Sequence, residues 1–287
     1  MGLLINYPGV EFGVGFMSRL NIAVLQVAST REKDANLESV KRLASRVKNS
    51  PDIVLTPEYL MLDPTGLGRD AIYDAAEDLE GRWSRELSKI AESLGSCLLG
   101  HLFLKTPSGR VANAAVLYSR DGGIIGVYRK THLFDAYGYV ESSFTEPGDE
   151  LWEPRKACGA SIGVAICYEL RFPEIFRTQS LVGGVDIFLV PAAWYRGPGK
   201  EEALSVLSRA RAQENTSYVA VASNAGANFV GRSMIIHPLG YTLAQAPPWE
   251  WVLEHEIDLR EIERARKSLP VLEHVKPHLY RYLMKQG

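Results

Sequence analysis

The stretch ASIGVAICYELRFPEIFRTQSLVGGVDIFLVPAAW, residues 160–194, decides the fold class. An apolar β-rich run, ASIGVAICYEL, leads into a helix-like segment from Pro173 to Leu181, and a second apolar run, DIFLVPAAW, follows. Short apolar runs rich in Val and Ile read as buried strands. The same order stands earlier in the chain. NIAVLQVAS from Asn21 to Ser29 is a strand, and Asn36 to Val47 places Leu37, Val40, Leu43, Ala44 and Val47 at helical spacing. DIVLTPE from Asp52 is a second strand. A polar loop follows, and Arg82 to Leu94 then sets Trp83, Leu87, Ile90, Ala91 and Leu94 on one helical face. Between these halves, CLLGHLFL, ANAAVLYS and GGIIGVYRKTHL are separated only by turn-forming SGR and SRDGG, which makes this segment a strand meander. After residue 194 come a helix from Glu201 to Asn215 and the strands SYVAVASNAG, GRSMIIHP and WEWVLEHEID. Two similar strand–helix halves predict an α/β protein with two sheets packed together and helices outside.

With 287 residues, 46% hydrophobic and 23% charged, the chain can bury one large core, and its net charge of -2 gives no field to attract nucleic acid or anionic lipid. A small molecule is the expected partner. No run reaches the length of a membrane span. The first sixteen residues are apolar but carry Pro8 and Glu11 and lack a basic leader, so residues 1–17 read as an N-terminal extension before a single domain at 18–287. Cys97, Cys158 and Cys167 are odd in number and too sparse for a disulfide framework. They point to a reducing cytoplasm with at least one free thiol, and Cys97 in SCLLG reads as a small packed hydrophobe.

Three reactive side chains stand at the downstream ends of strand runs: Glu58 closes IVLTPE, Lys130 follows IIGVYR and Cys167 closes IGVAIC. Ligands of such sheets gather beyond the carboxyl ends of strands, so the three are candidates for one pocket. Taken singly, each has an ordinary explanation: a packed cysteine, a surface lysine, an acid near solvent.

Taken together, TPEY, YRKTHLF and GVAICYELRFPE resemble the three catalytic blocks of the nitrilase superfamily, in the same order and with similar separations. The resemblance runs from about Leu20 to Tyr280. LSRARAQENTSYVAVASNAG, GRSMIIHPLG and LPVLEHVKPHLY look most like its Nit branch, which holds omega-amidases and deaminated-glutathione amidases. It implies a four-layer α-β-β-α sandwich and hydrolysis of a small amide, with Cys167 as nucleophile, Glu58 as general base and acid, and Lys130 as electrostatic stabiliser. A neutral thiol needs a carboxylate to take its proton and gains from an ammonium that favours thiolate. Lys130 and the backbone N–H of Tyr168 are then the oxyanion donors.

The resemblance also implies a second glutamate in the loop DAYGYVESSFTEPGDE. Glu141, six positions before Pro147, fits its spacing better than Glu146, which is expected toward solvent. The loop PAAWYRG makes Ala192, Ala193 and Trp194 candidate substrate contacts. GPGKEEALSVL replaces the branch's GPAHW-like stretch, leaving Ala203 and Leu204 where the branch has His and Trp. Arg171 and Glu174 match family positions either as an ion pair bracing the nucleophile turn or as a substrate contact. The family implies no cofactor and a homodimer or larger assembly.

Rival chemistries lack their signatures. His101, His132 and His237 are available to a papain-like pairing with Cys167, but no Gly-Ser-Cys-Trp type motif is present, and a strand-end hydrogen bond is the plainer role for His132. The six histidines show no metal-ligand spacing. Gly13-Val14-Gly15 is the nearest approach to a dinucleotide fingerprint and follows no strand. A nitrilase, an N-carbamoyl amine hydrolase and a catalytically silent binding protein of the same superfamily are the alternatives.

Overall fold

The computed structural model describes residues 18–280; the extension expected at residues 1–17 lies outside them. In chain order the elements are β1 (Arg19–Gln26), α1 (Lys33–Ala44), β2 (Ile53–Leu55), α2 (Arg69–Ala75), α3 (Arg82–Leu94), β3 (Cys97–Lys105), β4 (Val111–Tyr118) and β5 (Ile124–Arg129). A small hairpin, β6 (Asp135–Ala136) and β7 (Tyr139–Val140), interrupts them. The second half contains β8 (Arg155–Ala157), β9 (Ala160–Val164), α4 (Pro173–Gly183), β10 (Ile187–Ala192), α5 (Lys200–Asn215), β11 (Tyr218–Ser223), β12 (Met234–Ile236), β13 (Thr242–Gln245) and β14 (Trp251–Asp258), then α6 (Arg260–Ser268) and α7 (Pro277–Tyr280).

Two six-stranded sheets result, ordered β14-β1-β2-β3-β4-β5 and β13-β12-β11-β10-β9-β8. Each has three parallel strands at its centre, β1-β2-β3 and β9-β10-β11, with antiparallel strands outside. The two-residue alternation of a strand explains the layering. In β1, Leu20, Ile22 and Val24 enter the core shared with Ile162, Val164 and Leu189 of the second sheet. Ala23 and Leu25, on the opposite face, meet Leu37, Val40 and Leu43 of α1 and Trp83 and Leu87 of α3. On the far side α4 and α5 cover the second sheet through Ile175, Phe176, Leu204 and Ala212. The fold is the four-layer α-β-β-α sandwich. Buried on both faces, the parallel strands read as continuous apolar runs.

Sequence patterning missed three features. The last strand crosses back to the first sheet and pairs antiparallel with β1 along its whole length, from Arg19↔Asp258 to Gln26↔Trp251. The polar loop after β2 contains α2, a seven-residue helix with only Ile72 buried, too short to produce a periodic signal. Glu58 and Cys167 do not close their strands, because β2 ends at Leu55 and β9 at Val164.

The cysteine reading is corrected. Cys97, at the start of β3, is bridged to Cys158, in the turn between β8 and β9, with Cα atoms 6.1 Å apart. The partners are 61 residues apart in sequence and meet only because the two sheets pack together, so sparse spacing concealed the pair. Cys167 is the free cysteine among the described residues. The bridge removes the inference of a reducing compartment from cysteine usage. Closing a loop of this length stabilises by about 4 kcal/mol in the chain-entropy model. The double variant Cys97→Ala/Cys158→Ala should therefore melt roughly 10 °C lower, and reductant should lower the wild-type melt by a similar amount without moving that of the variant.

Candidate active site

The cleft at the carboxyl ends of the parallel strands is lined by Glu58, Tyr59, Lys130, Phe134, Cys167, Tyr168, Arg171, Ala193, Trp194, Tyr195 and Lys200. Glu58 follows β2, Lys130 follows β5, and Cys167 opens a 3-10 turn, Cys167–Arg171, that follows β9. Two non-glycine residues here are held in the left-handed region, Tyr59 at φ 57 and Cys167 at φ 48. Such conformations cost on the order of 1 kcal/mol or more and persist where the surroundings over-determine them. The surroundings of Cys167 are anchored by Glu169. That fully buried carboxylate accepts the Ile166 N–H (2.7 Å) with one oxygen, and the Thr131 N–H, Thr131 hydroxyl and Tyr128 hydroxyl (2.8 Å each) with the other. A single side chain thus ties the residue before Cys167 to the residue after Lys130.

At the floor, the Lys130 ammonium donates to Glu58 Oε1 and to Glu141 Oε2, each at 2.8 Å. All three side chains are buried. Glu58 Oε2 accepts the Ala193 N–H at 2.9 Å, and Glu141 Oε2 also accepts the Phe134 N–H at 2.7 Å. Asn113 donates from its Nδ2 to both carboxylates, 2.8 Å to Glu58 Oε1 and 2.8 Å to Glu141 Oε1. Its Oδ1 lies 2.8 Å from His101 Nε2.

Burial alone would raise Glu58, but the Lys130 charge, followed by the charge His101 carries when protonated and by the polar contacts with Lys130 and Cys167, holds its carboxyl below the usual range. Burial raises Glu141, the nearby Glu58 adds to the effect, and Lys130 opposes it. Burial works against the ammonium of Lys130, yet Glu141 and Glu58 outweigh it and keep it firmly charged. For Cys167, burial first and the Glu58 charge second push the thiol well up, against a smaller pull from Lys130. The expected preference for thiolate is therefore outweighed at rest, and the arrangement is a neutral thiol facing a carboxylate base.

At the mouth, the Arg171 guanidinium lies over the rings of Trp194 (4.2 Å) and Tyr168 (5.3 Å), and the Lys200 ammonium over Tyr137 (3.6 Å) and Phe134 (5.8 Å). Trp194 joins the two sides by donating its indole N–H to the Lys200 carbonyl at 2.9 Å. Among the described residues neither cation has a carboxylate within ion-pair distance. The Arg171–Glu174 ion pair is not formed: Glu174 is exposed and Arg171 faces the cleft.

Glu58, Lys130, Cys167 and Glu141 come together as the sequence led one to expect, and Tyr168, Ala193 and Trp194 line the cleft. Ala192 does not. It is the last residue of β10, and its side chain faces the core between the layers, because alternation along the strand turns its neighbour Ala193 to the other side. Leu204 is likewise core, with Ala203 packed against it. Glu146 sits apart from the site, accepting from Thr106 Oγ1 at 2.9 Å and from Ser108 Oγ. His132 stacks on Phe172 (4.1 Å) and its Nδ1 pairs with Thr131 Oγ1 (2.8 Å), while His237 Nδ1 accepts the Leu239 N–H (3.1 Å). Neither these nor His101 lines the cleft with Cys167. The described residues contain no cluster of His, Cys, Asp and Glu suited to a metal ion.

Sequence reasoning missed Asn113, Glu169 and Lys200, and considered His101 only as a partner for Cys167. Asn113 and His101 carried a usable signal, a polar side chain within an otherwise apolar strand, since a buried polar group needs a partner.

A family model described as carbon-nitrogen hydrolase matches residues 21–267. The chain is 34% identical over 248 residues to a deaminated glutathione amidase of Escherichia coli O157:H7, covering 86% of this chain and 92% of that protein. It is 29% identical over 277 residues to a Mus musculus omega-amidase, covering 92% and 98%. A carbon-nitrogen hydrolase from Helicobacter pylori G27 has the same fold, with a TM-score of 0.85 at 24% identity over 93% of this chain and 99% of that one.

Proposed function

Since this chain belongs to the carbon-nitrogen hydrolase family, in the Nit-type branch of the nitrilase superfamily, we propose that it hydrolyses the carbon–nitrogen bond of a small amide through a thioester on Cys167. The observation that carries this reading is the meeting of Cys167, Glu58 and Lys130 in one cleft, with the ammonium hydrogen-bonded to the carboxylate that the thiol faces.

In the first half-reaction the Cys167 thiol gives its proton to Glu58 as sulfur adds to the amide carbonyl. The oxyanion is met by Lys130 and the Tyr168 N–H, which lies at the start of a 3-10 turn where N–H groups lack partners within the turn. Glu58 returns the proton to nitrogen, the carbon–nitrogen bond breaks, and ammonia or an amine leaves. In the second half Glu58 takes a proton from water, hydroxide adds to the thioester, and the carbon–sulfur bond breaks with the proton restored to sulfur. Glu141 holds Lys130 in place, leaving the ammonium anchored to two carboxylates while it faces the developing charge.

The two mouth cations, Arg171 and Lys200, favour the omega-amide reading over a plain aliphatic amide: a carboxylate at the far end of the substrate would supply the anion they lack. The proposal includes a homodimer or larger assembly, as the family resemblance implies; among the described residues no helix is long and apolar enough to cross a membrane. Ammonia release from monoamides of dicarboxylic acids, neutral aliphatic amides, nitriles and N-carbamoyl amines tests the activity. The dicarboxylic monoamides should have the highest kcat/KM, and Lys200→Met should raise their KM about tenfold, the worth of one charge-assisted hydrogen bond. Release from none of the amides would instead favour the silent binding protein.

A further inference from the structure

The floor of the site poses an electrostatic problem that its three charged residues do not solve. Glu58 and Glu141 are two buried carboxylates sharing one ammonium, and like charges this close favour protonation of one of them. A protonated Glu58 could not accept the thiol proton. Each carboxylate, however, meets donors only: the Lys130 ammonium, backbone N–H groups, the Cys167 thiol at Glu58, and the two-donor amide nitrogen of Asn113. Asn113 is the uncharged member that reaches both, and it does so with its side chain fully buried on β4.

An amide can do this only in one orientation. Flipped, it would direct its carbonyl oxygen at both carboxylates. His101, on the neighbouring strand β3 and fully buried, decides the orientation: its Nε2 lies 2.8 Å from Asn113 Oδ1, and this nitrogen must carry the hydrogen because the amide oxygen can only accept. Its other nitrogen, Nδ1, is buried without a hydrogen-bond partner, which suits a neutral ring and not an imidazolium, and burial pulls the His101 pKa down to about 4.

We propose that Asn113, its amide locked in orientation by neutral His101, is a positioning residue that keeps Glu58 ionised beside Glu141 so that it can serve as the base for Cys167. The groups facing Glu58 are Lys130 from the end of β5, Cys167 from the turn after β9, His101 from β3, Glu141 from the loop after β7, and the Tyr59 and Tyr195 phenols. Apart from Asn113 and the Ala193 N–H, the stabilisation of the carboxylate comes from Lys130 first, then from the charge His101 carries when it is protonated, and then from the thiol; His101→Met and His101→Gln both remove that charge, so the contact with Asn113 is what separates them. Losing the Asn113 donor should raise the point at which Glu58 takes up a proton.

This inference rests on Glu58 acting as base in the proposed hydrolysis, so its test uses no substrate. Iodomethane, which carries no amide, alkylates the free Cys167 as the thiol passes its proton to Glu58, the sulfur–carbon bond forms and iodide leaves. The pH dependence of that rate, followed by intact mass, reads Glu58 whether or not any amide is turned over. Loss of one hydrogen bond to a charged group should move the acidic limb of the profile up by about one to two pH units in Asn113→Leu. His101→Met should move it in the same direction. His101→Gln, whose amide N–H can replace Nε2–H, should restore the wild-type limb. Melting curves identify which variants are folded. An unmoved limb in folded Asn113→Leu overturns the proposal. Should that variant not fold, the histidine pair decides: a limb split between Met and Gln supports the proposal, and identical limbs overturn it.

Discussion

Cys167→Ala should abolish ammonia release, a loss on the order of 10⁶-fold, as when the nucleophile is removed from other covalent hydrolases. The fold should survive. The substitution removes one sulfur atom from a buried position, and alanine adopts the same φ of 48 at no greater cost than cysteine. The cavity left behind costs on the order of 1 kcal/mol. Cys158→Ala should give the opposite result, lowering the melting temperature by opening the bridge to Cys97 while leaving turnover near wild type. Kinetics and a melting curve on both variants separate the two cysteine roles.

Lys130→Met should be the next most damaging change, costing about 100- to 1000-fold in kcat through loss of an oxyanion donor. It should also shift the pH dependence. The ammonium holds Glu58 below its usual range, so without it the Glu58 pKa rises and activity is lost from a higher pH on the acid side. Because methionine strands two buried carboxylates without their cation, a stability loss of about 3–5 kcal/mol should accompany the kinetic one. Kinetics measured well below the new melting temperature check the assignment, and an effect confined to KM would make Lys130 a binding residue instead.

The fold was legible because its central strands are buried on both faces and its helices show one apolar face each. Arg82–Leu94 was bounded to the residue because Trp83, Leu87, Ile90 and Ala91 all point inward. What could not be read were features created by packing between distant segments. β14 closes the first sheet from the far end of the chain, and Cys97 meets Cys158 only across the two sheets. In the site, Glu58, Lys130, Cys167 and Glu141 were recoverable because they stand in blocks that resemble a known family. Asn113 lay unremarked inside ANAAVLYS, and His101 in CLLGHLFL was weighed only against Cys167, since strand periodicity records which face a residue takes and not whom it meets there. Lys200 was hidden for a related reason. The segment GPGKEEALSVL was read for what stands in place of His and Trp, whereas the chain itself brings the lysine to the cleft from the first residue of α5.

The claim on which the account turns is that Cys167 becomes covalently acylated. Intact-mass analysis of the wild-type protein, quenched in acid during turnover of a dicarboxylic monoamide, addresses it directly, because Glu58 is needed to form the thioester as well as to hydrolyse it. Covalent catalysis predicts an adduct equal to the substrate acyl group, mapped by peptide mass to Cys167 and absent from Cys167→Ala. An adduct mapped to any other residue, or turnover by Cys167→Ala at the wild-type rate, would contradict it.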